Sequence, residues 1–246
     1  MINRQRLGQW LALARREVGL LAALLVLAFA VNSFVEIADD VAEGDTHGID
    51  HAVLMSLRAA DNPSLPLGPH WLTTATMDVT ALGSVTVLSM LVLFVAGLFV
   101  ALKRWREALV LLAASGGGVA LSQGLKLVFG RDRPEEPFRL VEAINASFPS
   151  GHAMLSATVY LTLGALVARF VQKRRVKVFA LAGAVVVAVL VGLSRIYLGV
   201  HWASDVLAGW CLGGAWALAW WLAVQAWDRF RPLDAKTGTI SQAEMR

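Results

Sequence analysis

One cysteine, Cys211, stands in 246 residues. A lone thiol excludes an intrachain disulfide framework and a thiolate metal site within one chain. Its place inside an apolar run gives it the part of a small packing residue. Charge is scarce too: Asp, Glu, Lys and Arg make up 16% of the chain against 57% hydrophobic residues, and mean hydropathy is +0.61. That balance excludes an ordinary soluble domain of this length. No internal repeat and no low-complexity tract interrupts the chain, which reads as an integral membrane protein.

A helix needs roughly 18 to 25 continuous apolar residues to cross about 30 Å of hydrocarbon, where only an internally bonded backbone is tolerated. Six such stretches are present: Val18 to Val35, Ala81 to Leu102, Ala108 to Val128, Ala153 to Val171, Val178 to Leu193 and Ala203 to Val224. The expected fold is all-α, a six-transmembrane-helix bundle forming a single membrane domain over 1–230, with an external loop at 36–80 and a disordered cytoplasmic tail at 231–246. The fifth stretch is the shortest, and its last turn is expected to reach the aqueous edge near Arg195. Ala28-Phe29-Ala30 also fits a signal-peptide cleavage site. The run continues to Val35, however, and an uncleaved anchor fits the charge pattern equally well. Residues 3–17 suit a short amphipathic surface helix with Trp10, Leu11 and Leu13 on its lipid side. Gly116, Gly117, Gly118, Gly209, Gly213 and Gly214 read as close helix contacts. The tryptophans of the last segment, including Trp202, Trp210 and Trp216, read as an interfacial belt.

Basic residues favour cytoplasmic loops. Arg4, Arg6, Arg15 and Arg16 precede the first segment, Lys103, Arg104 and Arg106 follow the second, and Lys173, Arg174, Arg175 and Lys177 follow the fourth. On the alternate side, residues 36–80 hold eight acids and one base, Arg58. Both termini are therefore expected in the cytoplasm. The net charge of +4 is then mainly a topology signal and gives no reason to invoke nucleic acid. Arg131, Arg133, Arg139 and Arg195 break the rule on the external side, and anion binding supplies a reason. His47, His51 and the five acids from Asp39 to Asp50 offer ligands for a divalent cation. Solvated external acids account for the run more simply, and no metal is assigned. Asn145-Ala146-Ser147 fits a glycosylation sequon, a pattern common by chance.

Three strings carry chemistry: Lys126 to Pro134 (KLVFGRDRP), Pro149 to His152 (PSGH) and Ser194 to Asp205 (SRIYLGVHWASD). Each lies at an end of a membrane-length segment. His201 and Asp205 are spaced i, i+4, so a helix opening there puts them on one face. The carboxylate can then accept the Nδ1 proton and present Nε2 to phosphorus, making His201 a candidate nucleophile. Taken alone, the pair also fits a structural His–Asp contact. Ser150 suits an N-cap, and the N–H groups that open a helix are an anion site. His152, when protonated, can give its proton to a departing oxygen. Lys126, Arg133 and Arg195 supply fixed positive charge for a phosphoryl transition state. Lys126 alone also fits snorkelling to the headgroup layer.

The combination resembles the type 2 phosphatidic acid phosphatase superfamily, integral-membrane relatives of vanadium haloperoxidases. Its motifs K-x6-R-P, P-S-G-H and S-R-x5-H-x3-D are filled at every position by Lys126 with Arg133-Pro134, by Pro149 to His152, and by Ser194-Arg195, His201 and Asp205. The resemblance implies six transmembrane helices and no metal or other cofactor. It makes His201 the nucleophile, Asp205 its orienting partner and His152 the proton donor to the leaving group. Lys126, Arg133, Ser150, Gly151 and Arg195 would hold the phosphate. Arg131 and Asp132 fall in the motif's variable stretch and receive no catalytic role. The expected activity is hydrolysis of a membrane lipid phosphate or diphosphate at the external face of a bacterial inner membrane. Undecaprenyl diphosphate is favoured over phosphatidic acid, phosphatidylglycerophosphate and a lipid A phosphate. A phosphotransferase, a lipid-phosphate transporter and a scaffold protein are the alternatives, and the sequence does not address oligomeric state.

Overall fold

Hydrocarbon offers no partner to a backbone N–H or C=O, so a chain this apolar must pair those groups within its own segments. It does so as helix. The computed structural model describes residues 4–230, with side chains over 17–229. The helices are α1 (Arg4–Glu43), α2 (His47–Met55), α3 (His70–Ala81), α4 (Val85–Ala101), α5 (Trp105–Phe129), α6 (Gly151–Phe170), α7 (Arg174–Tyr197) and α8 (Ala203–Phe230), with one 3-10 turn at Glu136–Phe138. An antiparallel bridge joins Arg58 to Pro66.

Five helices, α1 from Glu17, α5, α6, α7 and α8, are long and apolar enough to cross a membrane; α3 and α4 make a sixth if counted as one span bent by 46°. The second predicted span therefore needs correction. It is broken at Leu82-Gly83-Ser84, where the Ser84 Oγ accepts from Val87 N–H at 3.2 Å and starts α4 anew. The first and fifth spans extend beyond the apolar runs, to Glu43 and over Arg174–Tyr197, with Arg195 in the last turn as expected. The expected 36–80 loop is largely helical, comprising the end of α1, α2 and α3. The amphipathic reading of Trp10, Leu11 and Leu13, and the tail 231–246, lie outside the described side chains.

Helix α6 occupies the centre, packed on α5, α7 and α8, with Ala153 to Val159 buried without a break. Close approach to α8 depends on glycine. A Cβ at Gly209 would sit 2.8 Å from the Ser150 carbonyl oxygen, and one at Gly213 would sit 2.3 Å from that of Met154. Gly117 and Gly118 also face neighbours, whereas Gly116 meets nothing within 4 Å and Gly214 only Leu161 at 4.0 Å. Two tryptophans depart from the expected belt. Trp210 donates to the Ala188 carbonyl at 2.9 Å across a notch at Gly192, and Trp216 donates to that of Ala114 at 2.8 Å beside Gly117. Half-buried indoles such as these are satisfied by acceptors of this kind. Val18, Leu21, Leu25 and Phe29 of α1, and Val178, Phe179 and Val186 of α7, remain exposed as the surface a bilayer would cover.

The alternation of helix directions collects the ends of α1, α5 and α7 with the starts of α6 and α8 at one end of the bundle. At α5, Gly130 takes φ +54° and its N–H returns to the Lys126 carbonyl at 3.2 Å, turning the chain out of the helix so that 131–149 runs across that end. The opposite end is closed by Arg106 and Arg169 on Asp228, at 3.1 and 2.8 Å.

The glycine contacts predict a contrast. Gly213→Ala should destabilise the purified protein by about 1–3 kcal/mol, the usual cost of overpacking, while Gly116→Ala should be neutral or stabilising by up to about 1 kcal/mol from helix propensity. Thermal unfolding in detergent checks both; equal shifts would contradict the packing of α6 on α8.

Candidate active site

The site is built around a carboxylate. Asp205, in the first turn of α8, is fully buried, and each of its oxygens is engaged. Oδ1 accepts from Arg131 Nη1 at 2.7 Å. Oδ2 accepts from the Trp202 backbone N–H at 2.9 Å and from the Ser147 hydroxyl, and lies 3.4 Å from His201 Nδ1. The Asp205 carbonyl also accepts from Ser150 N–H at 3.0 Å, joining the start of α8 to the start of α6.

His201 does not share a helical face with Asp205. Helix α8 begins at Ala203, so the imidazole stands on the connection before it and the carboxylate reaches back across the first turn. The expected pairing thus forms by capping geometry instead of helical spacing. His201 is 2% exposed, with Nδ1 toward Asp205 and Ser147 Oγ (3.3 Å) and Nε2 3.2 Å from Arg133 Nη1. Burial holds the ring down to about 3, outweighing the hydrogen bond and charge of Asp205 that act the other way. A neutral ring with its proton on Nδ1 leaves the Nε2 lone pair available.

Arg133 stands beside this nitrogen, and Arg195 lies within electrostatic reach of the ring. Arg133 is fixed by carbonyls, Nε to Asn145 and Nη1 to Val200, each at 2.6 Å. Burial lowers it from the ordinary arginine value, against the pull of Asp205, yet a guanidinium stays charged. Lys126 Nζ donates to the Ala146 carbonyl at 2.5 Å, which anchors its side chain within the protein and rules out simple snorkelling. Arg195 donates to Thr80 Oγ1 at 3.0 Å, while its Nε is buried without a partner. Ser150 holds the N-cap position of α6 with extended backbone, but its side chain makes no cap bond; its Oγ is buried and unpartnered. Gly151 lies beside Ser122 Oγ and Lys126, 3.5 and 3.8 Å from where its Cβ would be. Ser122 Oγ is likewise buried without a partner. Such orphan donors fit a multi-oxygen anion. His152, next along α6, lies against the α3–α4 corner, its Cδ2 3.3 Å from a Cβ placed on Gly83. It is within electrostatic reach of Arg195, His201, Arg133 and Lys126. All eight residues expected from the sequence therefore gather at one end of the bundle.

Several neighbours were not expected. Ser147, the hydroxyl of the sequon, is buried against Asp205 and His201. Asp50, grouped with solvated acids in the sequence reading, is 2% exposed; it accepts from Ser204 N–H and Arg131 Nη2 at 2.9 and 2.8 Å. Its place beside Ile49, Val53 and Leu54 was the available signal. Arg139 binds the Pro134 carbonyl at 2.6 Å and so shapes its own loop. Among the described residues no group of three His, Cys, Asp or Glu is arranged to hold a metal ion.

The PAP2 superfamily model matches residues 105–229, which run from α5 through α8 and carry all three motifs. The chain is similar to phosphatidylglycerophosphatase B of Bacillus subtilis (strain 168), 36% identical over 167 residues that cover 66% of this chain and 80% of that protein. It is also similar to undecaprenyl-diphosphatase of Sulfolobus acidocaldarius, 34% identical over 125 residues, covering 48% of this chain and 56% of the relative. The fold matches the crystal structure of a transmembrane PAP2-type phosphatidylglycerolphosphate phosphatase from Bacillus subtilis with TM-score 0.75 and 29% identity, over 83% of this chain and 98% of that one. Helical architecture, motif geometry and relatives agree: the chain belongs to the PAP2 superfamily and is a membrane lipid phosphatase.

Proposed function

We propose that the enzyme hydrolyses a lipid phosphomonoester or diphosphate through a phosphohistidine at His201, on the external face of a bacterial inner membrane. The observation that carries this reading is the His201 ring, buried with Nδ1 toward Asp205 and Nε2 beside Arg133. In the first step Nε2 bonds to phosphorus as the P–O bond to the lipid breaks, and protonated His152 gives its proton to the leaving oxygen. Neutral His152 then takes a proton from water as that water attacks phosphorus. The P–N bond breaks, inorganic phosphate departs, and both histidines return to their starting forms. Lys126, Arg133, Arg195, Ser150 Oγ and the first N–H groups of α6 hold the equatorial oxygens, supplying without a metal the charge stabilisation that phosphoryl transfer demands.

Orientation rests on the basic residues of the α4–α5 and α6–α7 connections and of the N-terminus, all at the end opposite the site. A headgroup at the membrane edge with its tail among the exposed apolar helix faces suits lateral entry. Phosphatidylglycerophosphate is the first substrate to test, because the relative named for it is matched over the larger share of its length; undecaprenyl diphosphate follows.

Phosphate release from these two lipids, phosphatidic acid and a lipid A phosphate by detergent-purified enzyme tests the reading. Release is expected to persist in EDTA and to vanish in His201→Ala; a fully active variant would overturn the nucleophile. Asp205→Asn should lower kcat by roughly 10³- to 10⁴-fold, as when an orienting carboxylate in a triad becomes an amide, and parent-like kcat would count against the assigned tautomer. Because the folded-state pKa of His201 is depressed, its ring stays neutral well below pH 6.5. Nitrogen-15 histidine NMR, with the His201 signal assigned by its loss in His201→Ala, should find that imidazole with neutral-ring shifts down to about pH 4; its titration near 6.5 would contradict the assignment.

A further inference from the structure

Arg131 sits in the variable part of the first motif, yet its guanidinium spans two buried carboxylates. Nη1 donates to Asp205 Oδ1 and to Ser204 Oγ, both at 2.7 Å. Nη2 donates to Asp50 Oδ2 and to Thr46 Oγ1, both at 2.8 Å. The Arg131 side chain is 12% exposed, and those of Asp50 and Asp205 are 1% and 0% exposed. Asp50 also accepts from Ser204 N–H at 2.9 Å and Ser204 Oγ at 2.5 Å, so it caps the helix whose first turn carries Asp205. The result is a continuous line from α2 to the imidazole: Asp50, Arg131, Asp205, His201.

We infer that Asp50 and Arg131 are positioning residues for the phosphoryl-transfer reaction, holding Asp205 ionised and aimed so that His201 keeps its proton on Nδ1 and its lone pair on Nε2. The inference rests on the reading of His201 as nucleophile. The physical argument is one of charge and direction. A fully buried carboxylate has to be matched by donors on both oxygens, or its burial costs several kcal/mol. Oδ2 is occupied by Trp202 N–H, Ser147 and His201, so Oδ1 needs a donor of its own, and Arg131 is the cation bonded to it. A guanidinium pinned by a second carboxylate cannot swing with its four-bond side chain, and the planar fork fixes the direction from which Asp205 is held. Partners that orient metal-bound histidines are worth about 10- to 100-fold, and an effect of that order is expected for an imidazole oriented in the same way. Helix α2, which the sequence reads as part of a solvated loop, thereby becomes part of the catalytic apparatus.

The test uses orthovanadate, which takes the shape of the phosphoryl transition state and bonds to a histidine nitrogen, against inorganic phosphate, which needs only the cations. Affinities of the full-length, detergent-purified protein for each ion are measured by calorimetry for the parent, Asp50→Asn, Arg131→Ala, the double variant, the milder Arg131→Lys and His201→Ala. Asp50→Asn and Arg131→Ala should each weaken vanadate by about tenfold or more and leave phosphate affinity within about twofold. The double variant should be no worse than Arg131→Ala alone, because Asp50 acts through Arg131. Arg131→Lys should recover part of the loss and serves as the readout if Arg131→Ala does not fold. Equal weakening of vanadate and phosphate, additive losses in the double variant, or parent-like vanadate affinity in Asp50→Asn and Arg131→Lys would each overturn the inference. Unchanged vanadate affinity in His201→Ala would instead overturn the nucleophile itself, so the two failures are told apart.

Discussion

Burying the Asp205 carboxylate at the start of α8 constrains everything around it. An isolated ionised group with no exposed surface is too costly to keep, and removing one partner of such a group typically costs about 3–5 kcal/mol. The chain meets this with four donors from two segments: Arg131 and Ser147 from the segment crossing the bundle end, and His201 and the Trp202 amide from the approach to α8. Each donor fixes the backbone that carries it. The crossing segment is therefore tied down at 131 and 147, and between these points Arg133 closes on the Asn145, Ala146 and Val200 carbonyls.

The same requirement explains the contact between α6 and α8. Ser150 N–H donates to the Asp205 carbonyl, which ties the start of α6 to the start of α8. Such proximity is possible only because Gly209 and Gly213 let the two backbones meet. The bundle is thus divided by function along its length. One end concentrates buried charge around His201, and the remaining length presents apolar side chains to lipid, so a substrate with a charged head and an apolar tail finds both environments in one molecule.

The sequence carried most of this. The apolar runs gave the spans because only helices satisfy backbone groups in hydrocarbon, and the three motifs gave all eight candidate residues. What it did not reveal depends on the third dimension. A four-residue spacing suggested a helical face for His201 and Asp205, yet the helix starts two residues later and the carboxylate reaches back as a cap. The joining of α3 to α4 across Gly83 was hidden because α3, with its threonines and Asp78, is too polar to read as part of a span. Asp50 looked like its acidic neighbours because its cation lies 81 residues away, although the apolar Val53 and Leu54 one turn along marked its face of α2 as a buried one. The violation of the basic-residue rule at Arg131 was legible, but its reason differed: this arginine neutralises carboxylates of the protein, whereas Arg133 and Arg195 make no salt bridge to a carboxylate among the described residues.

The most direct test of the account is to trap the covalent intermediate. The parent enzyme is mixed with its fastest lipid substrate carrying labelled terminal phosphate, quenched within milliseconds in alkali, and mapped by peptide mass. The account predicts an acid-labile phosphoryl group on the His201 peptide that forms and decays at the rate of turnover. Label on another residue, or turnover with no labelled protein at any time, would contradict it.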